Sequence, residues 1–205
     1  EPWRLPKIED LLPIEANRPA NPEGFLPFAR DAETLARPWA VPGTPGLEHR
    51  IGGIEKADGT GNVSYDAINH EKMVHMRAEK VARVARDIPK AEVDGDQDGL
   101  LILGWGSTYG AITSAVRHAR TAGRRVGHLH LRHLNPMPSN LGEVLARYEH
   151  VLIPEMNLGQ LALLIRAKFL RNVVQLNKVQ GQPFKESEIM AKIEELAPAK
   201  EGARA

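Results

Sequence analysis

Residues 100–110 read Leu100-Leu101-Ile102-Leu103-Gly104-Trp105-Gly106-Ser107-Thr108-Tyr109-Gly110. This apolar run ends abruptly in a glycine-rich turn that carries two hydroxyl groups, and a helical pattern follows to about Ala122. A strand, a tight turn and a helix start are typical of the opening of a βαβ unit, which brings polar groups to the carboxyl edge of a parallel sheet. We therefore expect any functional residues at or near that edge.

Strand and helix patterns alternate over the rest of the chain. Predicted strands cover residues 100–105, 125–131, 150–154 and 172–176, and predicted helices cover about residues 108–121, 139–148, 157–170 and 185–196. Parallel strands joined by helices through right-handed crossovers form a sheet with helices on both faces. We therefore predict an α/β fold, a three-layer domain with a mostly parallel sheet.

The ends of these helices carry recognisable capping residues. Ser139 or Asn140 is the predicted N-cap of the short second helix, and Asn157 is the predicted N-cap of the third. Gly123 lies at a favourable C-cap position for the first helix. Glu155, which precedes Asn157, is interpreted as a carboxylate at the sheet edge without an evident acid or base partner.

Proline sets the N-terminal region apart. Residues 1–47 hold nine of the 15 prolines, and each proline removes a backbone donor and favours an extended predecessor. We predict an extended strap, or linker, that joins the chain to a preceding domain; a floppy spacer remains the alternative. Apolar anchors are distributed along it, at Trp3, Leu11, Leu12, Ile14, Phe25, Phe28 and Trp39.

The remaining segments complete the predicted organisation. Residues 48–98 contain an ordered loop and a long helix that runs from its N-cap, Asp66, to about Asp87. Apolar residues recur along this helix at helical spacing, at Val74, Val81, Ala85 and Ile88. Residues 99–197 form the α/β domain, and residues 198–205 form a flexible tail.

Composition excludes several classes of function. The chain has 205 residues, a formal net charge of +1 and no cysteine, so neither nucleic acid nor a membrane is expected as a partner. Without cysteine the chain cannot hold a disulfide or a cysteine-ligated iron–sulfur cluster, and a reducing cytoplasm is the expected location. The chain starts at Glu1 rather than Met, which we interpret as a fragment or a processed product.

An acidic loop precedes the first strand. Residues 94–99 place aspartates at positions one, three and five of a calcium-loop pattern, followed by the expected glycine. Position twelve, which should be a bidentate glutamate, is Trp105. We therefore interpret this segment as an acidic turn and predict no calcium.

Histidines alternate along the second predicted strand. His128, His130 and Arg132 fall on one face because side chains alternate with period two. Two histidines without a third ligand do not make a zinc site, so we predict none. His133, at the end of the strand, is expected to contact a partner.

The glycine-rich turn matches none of the familiar phosphate or nucleophile motifs. Its spacing differs from G-x-G-x-x-G, no Gly-Lys-Ser/Thr follows, and Ser107 lacks the flanking glycine of a nucleophile elbow. Two interpretations stay open. Ser107 or Thr108 caps the next helix, or the turn binds an anion or a carboxylate at the helix N-terminus.

Several motifs together resemble a known family. The segment 101–166 resembles the C-terminal domain of transketolase-like thiamine enzymes, through Leu-Gly-Trp-Gly-Ser-Thr, Ala-Gly-Arg-Arg-Val, Leu-Arg-His-Leu-Asn-Pro-Met-Pro and Val-Leu-Ile-Pro-Glu-Met-Asn-Leu-Gly-Gln-Leu. Further residues narrow the resemblance to one group of these enzymes. They are Gly46-Leu47-Glu48-His49 and the later His70, Arg77 and Lys80-Val81. The chain is similar to alpha subunits of 2-oxoacid:ferredoxin oxidoreductases, most closely the 2-oxoglutarate type.

The resemblance implies an activity for the whole enzyme. Such an enzyme decarboxylates a 2-oxoacid on thiamine diphosphate, transfers the acyl group to coenzyme A and reduces ferredoxin. A beta subunit would carry the diphosphate site, Mg²⁺ and an iron–sulfur cluster, and the catalytic glutamate would lie in the domain that precedes this chain. The absence here of cysteine and of a Gly-Asp-Gly…Asn motif is in keeping with this division.

The resemblance also implies a role for the chain within the complex. It would not be catalytic alone, and it would pack against the preceding alpha-subunit domain, a second alpha subunit and the beta subunit, completing walls of the cofactor cleft. Anion or interface contacts are expected at Gly104, Gly106, Ser107, Thr108, His133, Glu48 and His49. Arg50 departs from the family pattern, which often has an acid there, and this leaves the role of His49 open.

Alternatives remain at this point. Within the family, the substrate could be pyruvate or a branched-chain 2-oxoacid, since the chain reveals no cation for a second substrate carboxylate. Outside it, the chain could be a stand-alone module that binds an anion or nucleotide through residues 104–108, or a purely structural oligomerisation domain.

Overall fold

The structure is a computed structural model that describes residues 5–11 and 22–197. The predicted anchors Trp3, Leu12 and Ile14 and the predicted tail 198–205 lie outside the described residues. The helices are α1 (Ala67–Arg83), α2 (Tyr109–Thr121), α3 (Leu141–Ala146), α4 (Gln160–Phe169) and α5 (Glu186–Leu196). The strands are β1 (Asp94–Gly95), β2 (Leu100–Trp105), β3 (Val126–Leu131), β4 (His150–Glu155) and β5 (Val174–Asn177).

The chain divides into two compact units, Glu1–Arg83 and Val84–Ala205. The second unit is built on a five-stranded sheet in the order β1-β3-β2-β4-β5. Strands β2 to β5 run parallel, and only the two-residue β1 is antiparallel, pairing Asp94 with His128 and Gly95 with Gly127. The prediction of an α/β fold with a mostly parallel sheet is confirmed.

Helices cover both faces of this sheet. On one face, Leu101 and Leu103 of β2 join a core with residues of α3 and α4; on the other, Leu100 and Ile102 join a core with residues of α2 and α5. All four side chains are at most 1% exposed. A strand that is buried on both faces needs continuous rather than alternating apolar residues, which is why residues 100–103 are all aliphatic.

The α2 helix ends where the sequence predicts. Gly123 has a φ of 74° and its N–H donates to the carbonyl of Arg120, while Arg124 N–H donates to the carbonyl of Ala119. This pair of bonds is a Schellman motif, which satisfies carbonyls that the helix itself leaves unpaired. The left-handed conformation at Gly123 explains why glycine stands there.

The two predicted asparagine N-caps differ in detail from expectation. Asn140 lies at the N-cap position of α3 as predicted, but its side chain makes no cap hydrogen bond; it accepts from Ala91 N–H at 2.8 Å and donates to the Ala91 carbonyl at 3.0 Å. Asn157 lies three residues before α4, where Oδ1 accepts from the N–H groups of Gly159 and Gln160. Asparagine competes well for nearby or distant backbone groups, so its presence near a helix start does not fix its partner.

The acidic loop is held by arginines. Asp98 pairs with Arg125, and Asp94 and Asp96 lie 3.8 Å from the Arg120 guanidinium. Asp96 Oδ2 also accepts from Val126 N–H. Carboxylates that are engaged in this way anchor the loop to the edge of the sheet.

The first unit is organised around α1. Asp66 is its N-cap as predicted, with Oδ1 accepting from Asn69 N–H at 2.6 Å. Arg77 donates twice to Glu55, whose pKa is lowered to about 2 by hydrogen bonds from Arg77 and then His70. This bidentate pair ties the preceding loop to the helix.

The predicted apolar spacing of α1 does not mark a buried face. Val74 and Val81 are more than 40% exposed, and Met73 is the buried residue of the helix. The helix also ends earlier than predicted, at Arg83, and a 3₁₀ turn at Val84–Arg86 follows. Periodicity therefore located the helix, but it did not identify which of its sides is covered.

Candidate functional site

A cleft of about 560 Å³ opens beside the carboxyl half of β3 in the second unit. It exists because β1 pairs only with Gly127 and His128, so β3 has no outer neighbour beyond that point among the described residues. The segment 89–94 forms the opposite wall, and Tyr109, at the start of α2, lines it as well. The side chains from β3 and its end include His128, His130, Arg132 and His133.

The aromatic rings of this cleft form one cluster. The Tyr109 ring lies 5.5 Å from the His128 ring and 5.0 Å from the His130 ring, and the two imidazoles are 5.9 Å apart. His128 is only 4% exposed, whereas Tyr109 is 54% exposed. The period-two prediction that His128 and His130 share a face is confirmed by this contact.

Thr113 of α2 lies beside His128. The Thr113 hydroxyl donates to the Tyr109 carbonyl at 2.8 Å, and its oxygen lies 3.5 Å from Nδ1 of His128, a long contact. Nε2 of His128 is buried without a hydrogen-bond partner in the described part of the chain. His130 likewise has an unpartnered buried Nδ1 among these residues.

Burial keeps these imidazoles neutral. It lowers the pKa of His128 to about 4, assisted by the nearby His130, while Asp94 opposes the shift. Burial also lowers the pKa of His130. A general base works best with a pKa near the operating pH, so His128 is suited to accepting a hydrogen bond rather than to moving protons at neutral pH.

Acidification from pH 7 to pH 5 is expected to lower the free energy of unfolding by about 2 kcal/mol through His128. The unfolded imidazole takes up its proton near its ordinary pKa of 6.5, whereas the folded one does so only near 4. Stability is therefore full above pH 6.5 and is lost as pH falls toward 4. Urea unfolding at a series of pH values measures the loss.

Two variants separate this effect from other titrations. His128→Gln should reduce the dependence between pH 7 and pH 5 and leave the part that comes from His130, whose pKa burial also lowers. His150→Gln, at an exposed histidine, is the control substitution. Glu55 titrates below this window because its pKa is about 2. An unchanged slope in His128→Gln would contradict the assignment.

The glycine-rich turn lies next to this cleft and is tightly built. A Cβ on Gly104 would come within 2.5 Å of the Ile112 side chain and 3.1 Å of His130 Nδ1, so glycine permits close packing of α2 on β2. Gly106 has a φ of 59°, in the left-handed region. The Thr108 hydroxyl accepts from Trp105 N–H and donates to the Trp105 carbonyl, which closes the turn.

The turn has two interpretations, a helix cap by Ser107 or Thr108 and a site for an anion, and the hydrogen bonds of the two hydroxyl groups bear on both. Thr108 makes no side-chain cap to α2, and its hydroxyl is already used within the turn. Ser107 is exposed and its hydroxyl lies 3.7 Å from the Met156 sulfur, a weak contact that leaves it accessible. An anion contact at this turn stays a prediction, with Ser107 as the more available hydroxyl.

Glu155 is the residue whose role sequence reasoning missed. Its carboxylate is fully buried and accepts from Trp105 Nε1, Asn157 Nδ2, Leu161 N–H and Ala162 N–H at 2.9–3.2 Å. All four partners are hydrogen-bond donors, and none of them is an acid or a base. Glu155 caps α4 and ties that helix to the end of β2, where the negative charge also suits the helix N-terminus.

The predicted residues do not form one cluster. His133 is exposed and lines the cleft, as do the unpredicted Tyr109 and the histidines of β3. Glu48 and His49 belong to the first unit, where they line a separate pocket of about 360 Å³. Tyr109 could have been found from its position one residue after the turn, at the carboxyl edge that the sequence already singled out.

The described residues provide neither a metal-binding cluster nor a membrane-spanning helix. Within residues 5–11 and 22–197, no cluster of three or more histidine, aspartate or glutamate side chains is placed to hold a metal ion. No helix in the same part of the chain is long and apolar enough to cross a membrane.

Comparison with known proteins gives a consistent set of relatives. Residues 99–189 match the family described as pyruvate:ferredoxin oxidoreductase core domain II. The chain is 52% identical over 192 residues to the 2-oxoglutarate oxidoreductase subunit KorA of Mycobacterium tuberculosis, covering 92% of this chain and 29% of that protein. It is 32% identical to 2-oxoacid:ferredoxin oxidoreductase 1, subunit alpha, of Aeropyrum pernix, covering 77% of this chain and 25% of that protein.

The chain also matches a solved structure over nearly its whole length. It is the 2-oxoglutarate:ferredoxin oxidoreductase from Magnetococcus marinus, with 2-oxoglutarate, coenzyme A and succinyl-CoA bound, at a TM-score of 0.84 and 28% identity. The match covers 93% of this chain and 34% of that chain. The chain thus spans about a third or less of each of these relatives.

Proposed function

The chain belongs to the family of 2-oxoacid:ferredoxin oxidoreductases, and from that premise we propose that it forms the C-terminal region of the alpha subunit of a 2-oxoglutarate:ferredoxin oxidoreductase. The single observation that carries this proposal is the 52% identity to a 2-oxoglutarate oxidoreductase subunit, sustained over 92% of the chain. The reaction would convert a 2-oxoacid, coenzyme A and oxidised ferredoxin into acyl-CoA, CO₂ and reduced ferredoxin.

Thiamine diphosphate, Mg²⁺ and an iron–sulfur cluster belong, in this proposal, to other parts of the assembly. The residues described here do not fit these groups. The chain has no cysteine, the acidic loop at residues 94–98 is engaged by Arg120 and Arg125, and the only fully buried carboxylate among the described residues, Glu155, already has four donors. No chemical step is therefore assigned to this chain.

The role of the chain would be to build walls and contacts around the reaction centre. Support comes from the second unit, where the glycine-rich turn follows the carboxyl end of β2 and the His128–His130–Tyr109 cluster lines the cleft beside the carboxyl half of β3. Parallel α/β sheets bind ligands outside this edge. Gly104, Gly106, Ser107, Thr108 and His133, with Glu48 and His49 of the first unit, are proposed as contacts to the preceding alpha-subunit domain, a second alpha subunit or the beta subunit.

Reduction of ferredoxin tests the proposed activity. The whole alpha subunit, co-expressed with its beta subunit, is expected to reduce ferredoxin only when both 2-oxoglutarate and coenzyme A are present, and to release CO₂. Pyruvate and a branched-chain 2-oxoacid are the comparison substrates. A turnover preference of about tenfold for 2-oxoglutarate corresponds to about 1.4 kcal/mol of transition-state discrimination, as a few substrate contacts supply.

The outcomes are distinct. Preference for pyruvate or a branched-chain substrate would keep the family and change the substrate, whereas no decarboxylation of any 2-oxoacid would refute the proposal. Ser107→Ala and His133→Ala in the same complex test the contact residues, because both side chains are exposed in this chain and their removal should not affect its folding. Unchanged turnover in both would limit the chain to a structural role.

A further inference from the structure

The cleft beside β3 has the size of a small-molecule site. Its volume of about 560 Å³ lies within the range of roughly 300–1,000 Å³ that is usual for ligand pockets. Such pockets combine an apolar or aromatic lining with a few polar groups that fix the orientation of the ligand. The polar groups of this cleft and their positions therefore indicate what it can bind.

One polar group lies deep in the cleft. His128 lines the cleft and is 4% exposed, and its Nε2 has no hydrogen-bond partner in the described part of the chain. A buried polar atom that stays unpaired destabilises the fold, so such an atom calls for a partner from outside the chain, a water or a ligand. Nε2 of His128 is thus available to a polar atom of a ligand.

The main chain of His130 offers a donor and an acceptor in the same cleft. The carbonyl of Val126 accepts from Asp96 N–H and its N–H donates to the Asp96 carboxylate, so the main-chain groups of Val126 point away from β2. Main-chain direction alternates along a strand, so those of His128 and His130 point the same way. β1 pairs with His128, and the described residues provide no main-chain partner for His130.

Tyr109 adds an aromatic surface beside these polar groups. Its ring lies edge-to-face against His130 at 5.0 Å and at 5.5 Å from His128, yet Tyr109 is 54% exposed. The ring is therefore held in position while much of its surface stays open. Nucleic-acid bases stack on aromatic side chains of this kind.

Charge is distributed unevenly along the cleft. The lining includes two acidic and three basic side chains, Glu92, Asp94, Lys90, Arg132 and His133. Asp94 lies opposite His128, whereas Arg132 and His133 follow the carboxyl end of β3. None of the three basic side chains has a carboxylate within ion-pair distance among the described residues. They are available to an anion, and a guanidinium group favours phosphate.

We propose that this cleft binds a purine nucleotide. The base stacks on Tyr109 and pairs a neighbouring donor and acceptor with the C=O and N–H of His130, as the edge of adenine or guanine allows. Nε2 of His128 bonds to a further polar atom of the base. The phosphates lie toward Arg132 and Lys90. The proposed function assigns no ligand to this cleft, so the inference goes beyond it.

A bare anion and a polypeptide fit the cleft less well. A phosphate ion would use the cations but leave the His128 nitrogen and the His130 main chain without partners. A peptide strand needs a row of open main-chain groups, and in the described chain β3 offers those of His130 before it ends at Leu131. An aromatic ring, a main-chain donor and acceptor, and unpaired cations together match a base that carries phosphate.

Equilibrium dialysis of ATP and of GTP against the complex of the whole alpha subunit with its beta subunit tests the proposal. Coenzyme A, thiamine diphosphate and Mg²⁺ are kept saturating, so that the sites of the proposed reaction are filled. At least one of the two nucleotides is expected to bind at least about tenfold more tightly than inorganic triphosphate, which has no base.

Three results of the dialysis would overturn the proposal. The first is no binding of either nucleotide up to about 1 mM, which is also what a chain segment lying in the cleft of the assembly would cause. The second is equal binding of triphosphate, which would make the cleft a site for anions only. The third is binding that disappears when coenzyme A is present, which would place the nucleotide in the coenzyme A site.

Two pairs of variants locate the bound nucleotide. Arg132→Glu is expected to weaken binding at least about tenfold, whereas Arg117→Glu, the same charge change on the exposed side of α2, should stay within about twofold. Tyr109→Ala is also expected to weaken binding about tenfold, whereas Tyr65→Ala, at an exposed tyrosine of the first unit, should not. Unchanged binding in Arg132→Glu or in Tyr109→Ala would place the nucleotide elsewhere and overturn the proposal.

Ferredoxin reduction by the same preparations separates this proposal from the proposed function. Reduction that depends on 2-oxoglutarate, without nucleotide binding, would refute the nucleotide site alone. Nucleotide binding that depends on Arg132 and Tyr109, in a complex that turns over no 2-oxoacid, would refute the proposed activity and leave the nucleotide site supported.

Discussion

Replacement of Glu155 by alanine is expected to lower the free energy of unfolding by about 4 kcal/mol. The carboxylate is fully buried and receives hydrogen bonds from Trp105, Asn157, Leu161 and Ala162. Alanine would leave these four donors without an acceptor in a site that water does not reach. It would also remove the negative charge from the start of α4.

Urea or guanidinium unfolding at neutral pH measures this loss. Glu149→Ala is the matched control because its side chain is 80% exposed, and it should change stability by no more than about 0.5 kcal/mol. Glu155→Gln should fall between the two, at about 2 kcal/mol, because its NH₂ group would face a backbone N–H. A loss below about 1 kcal/mol in Glu155→Ala would mean that water replaces the carboxylate.

Gly127→Ala is expected to destabilise the second unit by about 3 kcal/mol. A Cβ at this position would lie 2.5 Å from the Asp96 carbonyl oxygen, 2.8 Å from the Tyr148 hydroxyl and 2.8 Å from a methyl group of Val93. The Tyr148 hydroxyl donates to the same carbonyl at 2.7 Å. Backbone cannot rotate away as a side-chain tip does, so β1 must separate from β3.

Gly110→Ala is the matched control, because the same chemical change is not expected to lower stability there. A Cβ on Gly110 meets nothing within 4 Å, and the residue lies in the first turn of α2. We expect stability to stay the same or to rise by up to about 1 kcal/mol, since alanine is the better helix former. Thermal and denaturant unfolding compare the two variants, and equal stability of both would contradict the close approach at Gly127.

The sequence predicted the sheet well because burial leaves a strong pattern. Residues 100–105 were expected as a strand covered on both faces, and Leu100–Trp105 is that strand. Gly123 was expected to end the following helix, and its φ of 74° does so. Both features depend on local chemistry that a short stretch of sequence contains in full.

Features that depend on distant partners were not predictable. Glu155 caps α4 from six and seven residues before the N–H groups that it accepts from, and its other donors include Trp105, fifty residues away in sequence. Asn140 had the residue type of a helix cap, but its side chain binds the backbone of Ala91 instead. In each case several backbone groups could bond to the polar side chain, and the sequence does not show which of them it binds.

Only some features of the candidate cleft could be predicted from the sequence. The alternation of side chains along a strand predicted that His128 and His130 share a face. The burial of His128, however, depends on Tyr109 and Thr113 of α2. The cleft itself exists because β1 stops after two residues, and a strand so short has no periodicity to detect. The location at the carboxyl edge could be expected, whereas the depth of the cleft could not.

The first unit, Glu1–Arg83, buries few apolar side chains and exposes many. Among the described residues of Glu1–Arg83, the buried apolar side chains are only Pro27, Phe28, Leu47 and Met73. Twelve large apolar side chains there are exposed: Leu5, Ile8, Leu11, Leu26, Trp39, Val41, Ile51, Ile54, Tyr65, Ile68, Val74 and Val81.

Exposed apolar surface of this kind is what chaperones and proteases recognise in a subunit that lacks its partners. Synthesis in excess of those partners would therefore expose the surplus to degradation. Under the proposed function, the composition of this unit would couple the abundance of the chain to the supply of the domains and subunits that cover it, and protein quality control would enforce the stoichiometry.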